Sequence, residues 1–262
     1  MSTPLPLLPA HSPATLTTEE DGRVLHVRLT PDGASILTTA AIDDLINVLH
    51  GLHDRPDLRV LVLSSTGEDF CLGADRQEFR ALAESDPTGA ALRRALDKAH
   101  RLCQALENTH AVTIARLHGG VIGAGLALAA YCDLRVGADT CRFRMPEVGV
   151  GLPPAWGGAM GRLITEAGAA RIRELFLTCD EFDAETAHRL SILHRIAPPD
   201  RLDAAVTAWT RPLSRRDPES LLLTKRMLAG YTRADRVTDA TPVDSHLLAS
   251  VLSRAHAGRR DG

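Results

Sequence analysis

No apolar run in this chain of 262 residues approaches the ~20 uncharged residues that a bilayer-crossing helix needs. Basic blocks are missing as well. Lys and Arg number 30 against 33 Asp and Glu, a net charge of −3, so neither nucleic acid nor an anionic membrane is an expected partner. The five cysteines, Cys71, Cys103, Cys132, Cys141 and Cys179, are odd in number, and no pair has CxxC spacing. A disulfide framework and a zinc site are thereby set aside and no metal is expected; five small buried hydrophobes in a reducing, cytoplasmic setting fit better. The opening stretch MSTPLPLLPAHSPATLTTEED has no basic leader and no continuous apolar segment, so residues 1–19 read as a Pro-rich flexible tail and not as a signal peptide. Residue identity shows no clean repeat.

What is present is an ordinary soluble composition, 44 % hydrophobic and 24 % charged, long enough for one large domain with a small appendage. RVLHVRLT (23–30), the turn PDG (31–33) and a short following segment suggest a first hairpin. TTAAIDDLINVLHGLHD reads as a helix opened by Thr38 or Thr39, with acids in its first turn. RVLVLSST (59–66) and AVTIARLHG (111–119) alternate too little to be half exposed, so they are expected as strands covered by helices on both faces. Between them, TGEDFCLGAD (66–75) is a loop, and residues 88–108 set Leu92, Leu96, Ala99, Leu102 and Cys103 on one side of a long helix. GLALAAYCD, GAARIRELFLTC and DAETAHRLSIL read as further helices, the last capped by Asp183. After IAPPDRL (196–202) the pattern is wholly helical: DPESLLLTKRML opens on Asp217 and Pro218, and PVDSHLLASVLSRAHAG stops at Gly258. Alternating buried strands and helices predict an α/β protein.

Two stretches carry chemistry. HGGVIGAGLALAAYCD (118–133) leaves a strand and enters a helix, so its free N–H groups and glycines suit a negative charge brought close to the backbone. Tight packing explains such glycines equally well. GxxGAG does not fit GxGxxG and no GK[ST] follows, which weakens nucleotide readings. RMPEVGVGLPPAWGG (144–158) holds one acid, Glu147, among Val148, Val150, Leu152, Pro153 and Trp156. Poor solvation there raises a carboxyl's pKa toward the range useful for proton exchange. The bland alternative is a glutamate bonded to the amides of a turn.

FCLGAD (70–75), HGGVIGAGLALAAYCDLRVGAD (118–139) and FRMPEVGVGLPPAWGG (143–158), in this order and spacing, resemble the crotonase family of enoyl-CoA hydratases and isomerases. DAETAHRLSILHRIAP and LLLTKRML extend the resemblance over about residues 20–255. It implies a spiral of repeated ββα units over 20–197, a C-terminal helical trimerisation region over 198–258, and a short tail at 259–262. It also implies a homotrimer or dimer of trimers acting on an acyl-CoA or acyl-carrier thioester, with no separate cofactor. The thioester oxygen would lie between the N–H groups of Ala74 and Ala124, with Gly73, Gly123 and Gly125 beside it. Glu147 takes the position of a catalytic glutamate. Asp75, Leu152, Pro153, Trp156 and Lys225 fall at substrate-binding positions.

Ala127 stands where hydratases carry a second glutamate, and Ala155 where dienoyl isomerases carry an aspartate. One carboxyl suffices to move a double bond but not, unaided, to add water, so isomerisation of an enoyl thioester ranks first. Hydration or dehydration with a non-standard second acid, decarboxylation, thioester hydrolysis and an inactive scaffold remain alternatives. His118 reads as a packed histidine. Asp75, Arg76 and Glu78 cap and solvate a helix start, with one of them able to reach substrate. Tyr131 lies one turn beyond Ala127, and Lys225 and Arg226 either match, by the resemblance, a region near CoA phosphates or form a solvated helix face. Gln77 replaces a CoA-contacting lysine and Ser191 a helix-ending glycine, departures that suggest a specialised acyl chain or carrier.

Overall fold

Six consecutive residues without one exposed side chain, Val60 to Ser65, form the strand on which the molecule is built. A strand apolar on both faces must be covered on both, which is what parallel sheets with helical crossovers provide. In the computed structural model, which describes residues 15–86, 88–234, 246 and 249–252, nine strands are described: β1 (Leu16–Asp21), β2 (Val24–Leu29), β3 (Val60–Ser65), β4 (Val112–Leu117), β5 (Gly120–Ile122), β6 (Leu134–Ala138), β7 (Arg142–Arg144), β8 (Phe182–Asp183) and β9 (Arg195–Ala197). The larger sheet runs β1-β2-β3-β4-β6-β9, parallel except for β1; the smaller runs β5-β7-β8. Each fully buried Val or Leu of such a strand contributes about 1.5–3 kcal/mol.

The helices are α1 (Thr39–Gly51), α2 (Arg76–Ser85), α3 (Ala90–Asn108), α4 (Ala124–Ala130), α5 (Ala159–Ala167), α6 (Ala169–Thr178), α7 (Ala184–Arg189), α8 (Leu202–Leu213) and α9 (Pro218–Ala234). Thr38 opens α1, its hydroxyl accepting from Ala41 N–H at 3.1 Å. The acids Asp43 and Asp44 lie past the first turn, contrary to expectation. Asp183 and Asp217 act as caps, accepting from the N–H groups of Thr186 and Ser220 at 2.8 Å each.

The first hairpin differs from the sequence expectation. Residues 23–30 are its second strand, and its first is β1, which begins inside the stretch read as tail. Only Leu16 of β1 is buried, so an edge strand of composition LTTEED looks like solvent-facing chain. Gly22, at φ +60°, makes the two-residue turn that joins them. Helix α5 was not foreseen. Ser191 closes α7 at φ +61°, the left-handed conformation that glycine adopts at lower cost. The helix expected over 242–258, apart from His246 and 249–252, and both terminal tails (1–14 and 259–262) lie outside the described residues.

Candidate active site

Three stretches of backbone lie side by side at one end of the small sheet. The loop 70–74 runs along β5: Phe70 N–H donates to His118 O at 2.9 Å, Cys71 N–H to Gly120 O at 3.1 Å, and Ile122 N–H to Cys71 O at 2.9 Å. On its other edge Leu37 N–H donates to Gly73 O at 2.8 Å and Asp75 N–H to Leu37 O at 3.1 Å. In a parallel bridge of this kind the enclosed residue turns its own N–H away from the neighbour, and here that residue is Ala74. The backbone of β5 passes through Gly123, at φ +51° and ψ −116°, a conformation open almost only to glycine, and enters α4 at Ala124. As the first helical residue, Ala124 has an N–H with no intrahelical acceptor. Among the described residues neither Ala74 nor Ala124 donates its N–H to the protein. They are neighbours in space: a Cβ on Gly73 would stand 3.9 Å from Ala124 N.

Glu147 follows β7, which pairs in parallel with β5 so that Ile122 faces Arg144. Gly123 N–H donates to Arg144 O at 2.9 Å, holding the exit of β7 against the start of α4. Met145 and Pro146 then bring Glu147 to a single 3-10 turn, Val148–Val150. Its carboxylate lies over Gly123, where Oε1 would be 2.9 Å from a Cβ placed on that glycine. Glycine is thus required twice there, for its backbone angles and for the space the acid occupies. Glu147 Oε2 is buried and has no hydrogen-bond partner. Burial raises its pKa above the usual carboxylate range, and only its own backbone amide pulls the other way.

A cavity of about 210 Å³ joins these groups. Gly73, Ala74, Gly123, Ala124 and Glu147 line its polar side, and Leu152, Pro153 and Trp156 lie on its apolar side. Three expected members are absent from it. Asp75 caps α2, its Oδ1 accepting from the N–H groups of Gln77 at 2.8 Å and Glu78 at 3.0 Å. Gly125 is a packing glycine: a Cβ there would stand 2.3 Å from Cys71 O. Lys225 belongs to a separate cavity beneath α9, where its Nζ lies 2.8 Å from Asp133 and donates to Ala111 O at 2.8 Å and Leu106 O at 3.2 Å. With three donors engaged and 7 % of the residue exposed, it does not reach out to a phosphate.

Ala127 is wholly buried, and Tyr131 lies in the core with the Arg162 guanidinium 5.7 Å from its ring centroid. His118 is a packing residue, its Nε2 2.8 Å from Gly67 O. All five cysteines are buried, and burial pushes the Cys71 thiol beside the loop up to about 11, which makes it a poor nucleophile. Among the described residues no group of three or more His, Cys, Asp or Glu could hold a metal ion, and no helix is long and apolar enough to cross a membrane.

Phe79 and Leu252 also line the cavity without having been singled out for it, and of Asp75, Arg76 and Glu78, one of which was expected in reach of substrate, it is Arg76 that lines it. Arg76 and Phe79 share a face of α2, three residues apart. Leu252 reaches the site from far along the chain, and no local signal marks it.

Residues 19–260 match the family model described as Enoyl-CoA hydratase/isomerase. The chain is 31 % identical over 199 residues to a Mycobacterium bovis protein named "Probable enoyl-CoA hydratase", covering 75 % of this chain and 74 % of that one. It is 29 % identical over 196 residues to the crotonyl-CoA hydratase of Syntrophomonas wolfei, covering 74 % and 72 %. The fold superposes on an enoyl-CoA hydratase from Bacillus halodurans with a TM-score of 0.84, at 19 % identity over 94 % of this chain and 98 % of that chain. An enoyl-CoA hydratase/isomerase from Mycobacterium paratuberculosis gives 0.83, at 20 % identity over 92 % and 94 %. Those two likenesses speak for the fold, a mixed α/β crotonase architecture; the matched family model and the sequence relatives speak for descent. The chain belongs to the enoyl-CoA hydratase/isomerase family.

Proposed function

We propose that the protein moves a carbon–carbon double bond along an acyl-CoA thioester, converting a 3-enoyl into a 2-enoyl group with Glu147 as the sole acid and base. One observation carries this: among the described residues, Glu147 is the only carboxyl lining the cavity, and the position of a second acid is the buried methyl of Ala127. The thioester oxygen accepts from Ala74 N–H and Ala124 N–H. Two fixed donors aimed at one oxygen stabilise the enolate as it forms, without reorganising; loss of one such donor costs about 3 kcal/mol. Glu147 removes a proton from the carbon next to the thioester. The negative charge spreads over the oxygen and the former double bond, and the same carboxyl returns the proton two carbons further along. An unpartnered Oε2 and a raised pKa suit a group that must alternate between the two protonation states.

Hydration is the second reading, favoured by the hydratase names of the relatives. It requires a further group to share the work of activating water and protonating carbon. Incubating a 3-enoyl-CoA and, separately, a 2-enoyl-CoA in heavy-oxygen water separates the two. Isomerisation yields a 2-enoyl product and falls roughly 10²–10⁴-fold in Glu147→Gln. Undiminished turnover by that variant rejects the single-base mechanism. A 3-hydroxyacyl product carrying solvent oxygen, formed from the 2-enoyl-CoA while the 3-enoyl-CoA stays unconverted, assigns hydration instead.

A further inference from the structure

Among the described residues, Arg76 is the one cation lining the cavity that holds Glu147 and the Ala74 amide. Among the described residues it forms no ion pair. The acids closest to it in sequence are engaged elsewhere: Asp75 caps the helix, and Glu78 Oε2 accepts from Thr39 N–H at 2.9 Å. Its place is also unfavourable for a cation, since it is the first residue of α2, where the helix dipole favours negative charge. A local rule broken beside a reaction site marks a functional residue more often than a structural one. A second donor waits in the same cavity: Trp156 is 5 % exposed and its Nε1–H has no acceptor. The remaining wall is apolar, with Leu72, Phe79 and Val150 among its members.

We infer that Arg76 recognises a carboxylate at the far end of the acyl chain, so that the preferred substrates are monothioesters of short dicarboxylic acids. This rests on the thioester-binding half of the function proposed above and names its substrate class. Arg76 is solvent-exposed in the free protein, and its planar fork fits a carboxylate delivered with the ligand through two parallel hydrogen bonds, which strengthen as the bound chain excludes water. Volume limits the length. A cavity of about 210 Å³ suits a short chain. Trp156 Nε1–H is available to an oxygen of the same chain.

Calorimetric titration of the full-length protein with glutaryl-CoA and valeryl-CoA, saturated esters of equal chain length, reads the inference without any turnover. The wild type is expected to bind the acid at least about tenfold more tightly, a difference of about 1.4 kcal/mol. Arg76→Leu brings the ratio to about one, and Arg76→Lys keeps part of it. Equal affinities in the wild type, or a preference that survives Arg76→Leu, overturn the inference. The same acyl pair on pantetheine, which lacks the nucleotide phosphates, tests the other source of negative charge. An Arg76→Leu defect that is equal for both CoA esters and absent from both pantetheine esters assigns the cation to the carrier and overturns the inference. An intact binding preference with no conversion of any 3-enoyl thioester would reject the isomerase function and leave this assignment standing.

Discussion

Two regions of this molecule bury polar groups, and they treat them in opposite ways. Below α4 and α9 every charge is answered. Arg135, 2 % exposed, donates to the carbonyls of Ile192, Ala130 and Cys132 and pairs with Glu166. Arg162 Nε lies 2.6 Å from Glu166 and its NH1 3.2 Å from Glu107, while Lys225 faces Asp133. His194, pushed down to about 4 by burial and by Arg135, stays neutral and accepts the Arg135 N–H. At the cavity, by contrast, Glu147 Oε2, Trp156 Nε1 and the amides of Ala74 and Ala124 lack protein partners. Burial is common to both regions. In the brace Arg162 Nε makes no hydrogen bond but has the Glu166 carboxylate 2.6 Å away. The cavity instead gathers a carboxylate oxygen, an indole N–H and two amides with no protein partner, and that gathering separates a site from a structural brace.

If the brace is structural, Arg135→Met leaves the half-buried Glu166 without one of its two cations, removes the donors to three buried carbonyls, and lowers stability by about 3–5 kcal/mol. Urea unfolding reads this directly, and a shift of its midpoint no larger than that of a surface variant would break the comparison. Gly125→Ala stands between the regions. Its methyl meets Cys71 O, which displaces the loop holding Ala74; a loss of about 1–3 kcal/mol accompanied by a drop in kcat/KM is expected, and a loss of stability alone would separate that loop from catalysis. The smallest effect has the opposite sign. Burial holds the folded Glu147 carboxyl above its unfolded value, so the folded state binds this proton more tightly. The resulting cost is absent below the unfolded pKa, near 4.3, and grows as pH rises through the folded one. Glu147→Gln should therefore be more stable than the wild type at neutral pH, with the difference closing as the pH falls toward 4. A variant less stable than the wild type at pH 7 would mean that the carboxylate is satisfied after all.

Much of this was legible in residue order, for physical reasons that differ from place to place. A strand such as VLVLSS shows itself because two buried faces demand an unbroken apolar run. Glu147 shows itself because an acid among apolar residues needs a cause. Strand β1 did not, since an edge strand buries only Leu16, and β5, β7 and β8 are too short to display a period. Lys225 misled because whether a lysine is solvated or buried against Asp133 depends on a partner distant in sequence. Asp75 and Arg76 exchanged roles for a subtler reason: one step along a starting helix turns a side chain from the cap to the cavity.

Leu252, ten residues from the end of the chain as given, lines the same cavity as Gly73 and Ala74 near its first third. Ala249 beside it is 2 % exposed against Phe79, Ala83 and Ala155. The cavity is therefore complete only once a segment far along the chain has docked on residues of the first third. Removing residues 249–252 would open that cavity while leaving the buried strands of the larger sheet in place.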